Sequence, residues 1–175
     1  MQHAWIHWFW QINQDSQRLE LWLSDDICFA TSLTSQQLNT AFNEKVPFNA
    51  EDAELYTAFR DILCQTNLDQ QAQFSVAINA AVSCNYLTPL ASKSWYFQAI
   101  GSNEQEFFGG DFVQVQSQRQ SKLNECSLYM IIEPEQQAST AVLVSESQLI
   151  DEHRVLRRGQ IIKAHNDRFK KVPKA

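Results

Sequence analysis

The residue types that most often carry out chemistry are present in this chain but scattered. Asp25 and Asp26 are adjacent carboxylates in SDD, a turn-forming composition in which capping and solvation occupy them. His3 and His7 are four apart on a run that reads as extended, which separates them by roughly 13 Å, too far for one metal ion. His153 and His165 stand among arginines and lysines, surroundings that disfavour a bound cation. Cys28, Cys64, Cys84 and Cys126 lie 36, 20 and 42 residues apart, with no CxxC pair and mostly apolar neighbours. That spacing suits buried, reduced thiols rather than a disulfide framework or a zinc site. GxGxxG, a Walker-type phosphate loop, HExxH and GxSxG are all absent. The expectation is a protein that is not an enzyme, with no catalytic residues, metal, cofactor or small-molecule substrate.

What remains are residues suited to binding. Four of the five tryptophans fall within the first 22 residues, and KSWYF at 93–97 sets a lysine and a serine before three aromatics. Aromatic side chains concentrate binding energy at interfaces, although core packing is the ordinary explanation for any one of them. Trp22 is the exception, because it alternates with Leu21 and Leu23 and cannot share their face. Charge is unevenly spread. From His153 to the C-terminus there are eight Lys or Arg against one acid, leaving six bases against 19 acids in residues 1–152. The formal net charge of -6 therefore divides into about -13 and about +7. Such asymmetry offers an electropositive face to an acidic partner, to a nucleic acid or, most simply, to the protein's own acidic body.

The elements that must position these residues follow from the apolar pattern. With 175 residues, 44% hydrophobic and 19% charged, the chain can bury one core or two small ones. Its opening, MQHAWIHWFWQINQD, lacks a basic leader and a small-residue cleavage site, so neither a signal peptide nor a membrane span is expected, and a cytoplasmic location is. Trp5 to Asn13, Arg18 to Ser24 and Ile27 to Thr31 predict a three-stranded antiparallel meander with Trp8, Trp10 and Ile12 opposite in phase to Phe9. Asn49 and Asp69 are N-cap candidates for two helices, the second apolar nearly all round and therefore central. TSQQLNTAF, from Thr34 to Phe42, suggests a third, smaller helix. After Pro89, Trp95 to Ile100, Phe112 to Gln118, Ser127 to Ile132, Ala141 to Ser145 and Gln160 to His165 read as strands. The expected fold class is α+β: an N-terminal antiparallel sheet packed with two main helices, then a small C-terminal twisted β-barrel-like unit. The expected divisions are 1–90, 91–168 and a flexible basic tail at 169–175. On a strand, Trp95 and Phe97 share one face, so Trp95→Ala is expected to harm folding while a charge swap at Lys93 is not.

Several stretches together resemble one family: the Trp8 and Trp10 pair, EDAELYTAF, Asn67 and Leu68, INAAVSCNYLTP, KSWYF, Gly110 and Asp111, and GQIIKAHNDRFK. In order and spacing over almost the whole chain they are similar to ZapC, a cytoplasmic division-ring family that binds the tubulin-like FtsZ and bundles its filaments. The resemblance implies a monomer without catalysis, directed to the Z-ring at mid-cell. It also implies that FtsZ, whose filament-forming core is acidic, meets an apolar pocket on the N-terminal unit and nearby basic surface. Leu21 falls where the family has a pocket leucine, and Lys93 where it has the lysine before Ser-Trp. Thr88 departs from a relative's second lysine before this proline, which thins the basic patch unless the tail bases replace it. The partner-binding residues expected are Leu21, Trp22, Lys93, Trp95, Lys163 and Arg168. The alternative is a small β-barrel that binds nucleic acid through Arg157, Arg158, Lys163, Arg168, Lys170 and Lys171, a reading disfavoured by the acidic pI near 5.1 and the lack of a recognition motif.

Overall fold

A computed structural model describes residues 4–118 and 126–173. His3 and Lys174 lie outside the described residues. The chain divides into two compact units, Met1–Thr88 and Pro89–Ala175.

In the first unit, β1 (Phe9–Ile12), β2 (Arg18–Ser24), β3 (Ile27–Thr34) and β4 (Val46–Pro47) form an antiparallel sheet in the order β3-β2-β1-β4. The expected meander is present, but its first strand begins late. Ala4–His7 is a 3-10 turn, closed by the Trp8 N–H on the Trp5 carbonyl. Alternation sets the two faces of the sheet. Trp10, Ile12, Leu19 and Leu21 are buried on one side, while Phe9 and Trp22 lie on the other and are only half-buried.

The buried side is covered by α1 (Ala50–Leu63) and α2 (Gln70–Tyr86). Asn49 Oδ1 accepts the Asp52 N–H at 2.9 Å and Asp52 Oδ2 accepts the Asn49 N–H at 3.1 Å, a reciprocal cap that starts α1. Asp69 starts α2 by accepting the Ala72 N–H at 2.8 Å. The run from Val76 to Ser83 in α2 is buried, as its nearly continuous apolar surface requires. The short helix expected over Thr34 to Phe42 shrinks to one 3-10 turn, Ser35–Gln37.

Asp52 does more than cap. Fully buried, its Oδ2 also accepts Trp10 Nε1–H at 2.9 Å and Tyr86 O–H at 3.3 Å, and its Oδ1 accepts Asn85 Nδ2–H at 2.7 Å. One carboxylate thus ties β1, α1 and α2 together. Burial, and then the charge of Asp52, push the Tyr86 phenol well above its usual range and keep it a donor.

In the second unit, β5 (Phe112–Gln116), β6 (Cys126–Glu133), β7 (Ala138–Leu143), β10 (Ile161–His165) and β11 (Lys170–Lys171) make a sheet in the order β10-β7-β6-β5-β11. Among the described residues β10 and β11 do not pair, so this sheet is open rather than closed into a barrel. A separate hairpin, β8 (Ser147–Asp151) with β9 (Arg154–Arg157), was not expected from the sequence. Ile150 and Leu156 pack it onto the core formed by Phe97, Val113, Tyr129 and Phe169. Polar anchors fix its position: Tyr129 O–H donates to Gln148 Oε1 at 2.5 Å, Gln148 Nε2–H to the Val115 carbonyl at 3.0 Å, and Ser117 O–H to the Leu149 carbonyl at 2.6 Å.

Among the described residues, those after Arg168 do not trail away as expected. Phe169 is fully buried, β11 pairs with β5, and Lys171 Nζ lies 3.0 Å from the buried Asp111. Gly101 allows this return of the chain, because a Cβ there would sit 1.9 Å from the Phe169 carbonyl oxygen. The cysteine expectation also needs correction: Cys28, Cys64 and Cys126 are exposed and Cys84 is half-buried. Their apolar neighbours in sequence alternate away from them or follow a helix end, as at Cys64, the C-cap of α1.

Candidate functional site

The strand expected over Trp95 to Ile100 is instead a 3-10 turn, Ser94–Tyr96. Aromatic residues favour strands, but tertiary packing overrides that preference here. Ser94 and Phe97 are both buried, three residues apart, and the turn is closed by Tyr96 N–H on the Lys93 carbonyl and Phe97 N–H on the Ser94 carbonyl. It is also pinned from outside. The Lys93 N–H donates to the Lys163 carbonyl at 3.0 Å, the His165 N–H to Ser94 Oγ at 2.8 Å, and the Gln118 N–H to the Tyr96 carbonyl at 2.8 Å.

The consequence is that Trp95 is 65% exposed on a rigid support, not shared with Phe97 in the core. The expectation that Trp95→Ala would harm folding is therefore reversed. Lys93 is exposed beside it, with no carboxylate in ion-pair range among the described residues. Tyr96 is half-buried and stands 5.6 Å from Trp95 between ring centroids. Trp95, Tyr96, Gln118, Ile150 and Asp151 line a cleft of about 330 Å³.

A second aromatic and cationic surface lies on the first unit. Phe9 and Trp22 are direct cross-strand partners, stacked with centroids 6.0 Å apart and planes within 1°. Lys45 Nζ lies 4.5 Å from the centre of the Phe9 ring. The strand register extends this row from Pro47 through Phe9 and Trp22 to Cys28. Trp22 Nε1 is itself buried and has no hydrogen-bond partner, so the exposed part of this side chain is the apolar ring.

The six expected binding residues thus separate. Trp22, Lys93 and Trp95 present side chains to solvent. Leu21 does not: it is 0% exposed, between Trp10 and Phe29 in the strand register, and offers no surface to a partner. Its phase with Leu19 foretold this burial. Lys163 is 16% exposed and its Nζ is 2.8 Å from Glu135. Arg168 Nε lies 3.5 Å from Asp167 Oδ1, an ion pair without hydrogen-bond geometry. With Lys171 on Asp111, two of the tail bases meet acids of the body, as the simplest reading of the charge asymmetry expects, while Arg168 meets the tail's own Asp167.

Lys45 and Arg154 complete these surfaces and were not singled out from sequence, whereas Tyr96 was noted only as part of KSWYF. Lys45 carried no signal beyond its position before Val46. Arg154 belongs to the overlooked hairpin; its Nη1–H donates to Tyr96 Oη at 2.7 Å and its guanidinium lies 5.1 Å from the Tyr96 ring centre. Among the described residues no three His, Cys, Asp or Glu side chains come together to hold a metal ion. No helix among them is long and apolar enough to cross a membrane.

Two family models cover the chain, "Cell-division protein ZapC, N-terminal" over residues 3–88 and "Cell-division protein ZapC, C-terminal" over residues 89–175. Curated relatives span nearly the same length. The chain is 28% identical over 167 residues to the cell division protein ZapC of Proteus mirabilis, covering 95% of this chain and 88% of that protein. It is 31% identical over 164 residues to that of Musicola paradisiaca, covering 93% and 86%. It is 30% identical over 167 residues to that of Tolumonas auensis, covering 93% and 88%. With both domain models matched in order and the relatives matched nearly end to end, the chain belongs to the ZapC family of cell division proteins, which is not a known enzyme family.

Proposed function

We propose that this chain binds FtsZ directly, as a cytoplasmic monomer at the mid-cell Z-ring, and promotes the lateral bundling and stability of FtsZ filaments. Membership of a cell division family supports the setting. The observation that carries the proposal is Trp95, held outward by a pinned turn next to an unpaired Lys93. A large exposed aromatic beside a cation is the combination that anchors protein interfaces, and the lysine matches the acidic character of FtsZ.

Bundling requires each molecule to hold two filaments or to screen their repulsion. Each unit carries an aromatic and cationic surface, Phe9 with Trp22 and Lys45 on the first, Lys93 with Trp95 and Tyr96 on the second. That favours bivalent contact. In this reading Trp22, Lys93 and Trp95 touch FtsZ, Leu21 supports the sheet beneath, and Lys163 and Arg168 contribute field rather than contact. The nucleic-acid alternative loses ground for the same reason. Of its six bases, Lys163, Arg168 and Lys171 are ion-paired and Arg158 Nε–H bonds the Val144 carbonyl.

Light scattering and negative-stain microscopy of GTP-polymerised FtsZ test the proposal. The wild-type chain is expected to raise scattering and bring filaments side by side. Trp95→Ala, with an unchanged melting temperature, is expected to weaken this about tenfold in the concentration required. Unbundled filaments at saturating wild-type protein would refute it.

A further inference from the structure

The hairpin that the sequence concealed brings to the Trp95 surface a residue that the sequence did not single out. Arg154 arrives from β9, Tyr96 from the pinned turn, and the two are joined by the 2.7 Å hydrogen bond and by the guanidinium lying over the ring. A guanidinium has five N–H donors, and the described hydrogen bond to Tyr96 uses one of them. The neighbouring acid, Asp151, makes no ion pair or side-chain hydrogen bond with the guanidinium among the described residues. Its Oδ1 accepts the His153 N–H at 2.9 Å, and this bond, with that of the Arg154 N–H and the charges of Arg154 and His153, holds its carboxyl below the usual range. The cleft of about 330 Å³ opens here, with Ile150 and Trp95 as its apolar lining and Gln118 and Asp151 at its side. That volume is at the small end of ligand pockets and fits one or two side chains rather than a folded surface.

We infer that Arg154, held by Tyr96, and Trp95 form a clamp for an FtsZ segment in which an apolar side chain enters the cleft and a flanking carboxylate meets the guanidinium. The inference rests on the FtsZ reading and names the chemistry that this site selects. The two halves of the clamp come from different elements, each independently fixed: the turn by Ser94 and Lys93, the hairpin by Gln148 and Ser117. Preorganisation of this kind lowers the ordering cost of binding and lets a planar fork discriminate a carboxylate from a generic negative surface.

Arg154→Ala and Arg154→Lys test this in the full chain, by pelleting with GTP-polymerised FtsZ. Arg154 is exposed, so both variants are expected to melt as wild type does. Arg154→Ala is expected to raise the apparent Kd at least tenfold, and Arg154→Lys nearly as much, since an ammonium keeps the charge but not the fork. Wild-type affinity in Arg154→Ala, or full recovery in Arg154→Lys, would overturn the clamp while leaving FtsZ binding intact. Failure of the wild-type chain itself to pellet would overturn both.

Discussion

Leu21→Arg is expected to leave the N-terminal unit unfolded, not merely unable to bind. Leu21 is fully buried in the inner row of the sheet, with Trp10 on one side and Phe29 on the other. Removing a buried leucine alone costs about 2 to 5 kcal/mol, and an unpaired buried charge adds several more, against a typical domain stability of about 5 to 15 kcal/mol. The measurement is soluble yield together with far-UV circular dichroism. A soluble, fully folded Leu21→Arg would show that this side chain faces solvent after all. The consequence for function is direct: a loss of FtsZ binding in this variant would report on folding, so Trp22, on the opposite face, is the residue through which the sheet should be probed.

The second large effect falls on Asp52. Asp52→Ala removes the acceptor for Trp10 Nε1, Asn85 Nδ2, Tyr86 Oη and the Asn49 N–H at once. Hydrogen bonds to a charged group contribute about 1.5 to 3 kcal/mol, and buried donors left without partners carry their own penalty. A loss of about 3 to 5 kcal/mol is expected, read as a lower urea midpoint with an unchanged slope. Asp52→Asn keeps the shape but turns one acceptor oxygen into a donor aimed at other donors, so it should recover less than half of the loss. Recovery to wild-type stability would mean that the cap, not the buried network, is what Asp52 supplies.

Much of the first unit was legible because its signals are local. Asn49 and Asp69 are N-caps followed by helical periodicity, and Arg18–Ser24 alternates cleanly enough to fix both ends of β2. The fourfold role of Asp52 was not legible, because its partners lie up to 42 residues away. In the second unit the signals mislead. WYF has strong strand character, yet the buried Ser94 and Phe97 impose a turn and expel Trp95. The β8–β9 hairpin was missed because its second strand, RVLR, falls within the basic stretch that begins at His153, where Arg154 counts as net charge rather than as a partner of Tyr96. For the same reason Lys163 and Arg168 were read as available, although their acids sit within the same unit. Lys93 could be singled out but not shown to be unpaired, since pairing is a property of neighbours brought by the fold.

The central claim is that FtsZ is held at the Lys93 and Trp95 surface. It is tested most directly by pelleting GTP-polymerised FtsZ with wild-type chain and with Lys93→Glu, both first shown to melt at the same temperature. The account predicts that wild type enters the pellet with the polymer and that Lys93→Glu loses at least about tenfold in affinity, because a like charge now faces an acidic partner. Equal pelleting of the two proteins, or wild type left in the supernatant, would contradict it.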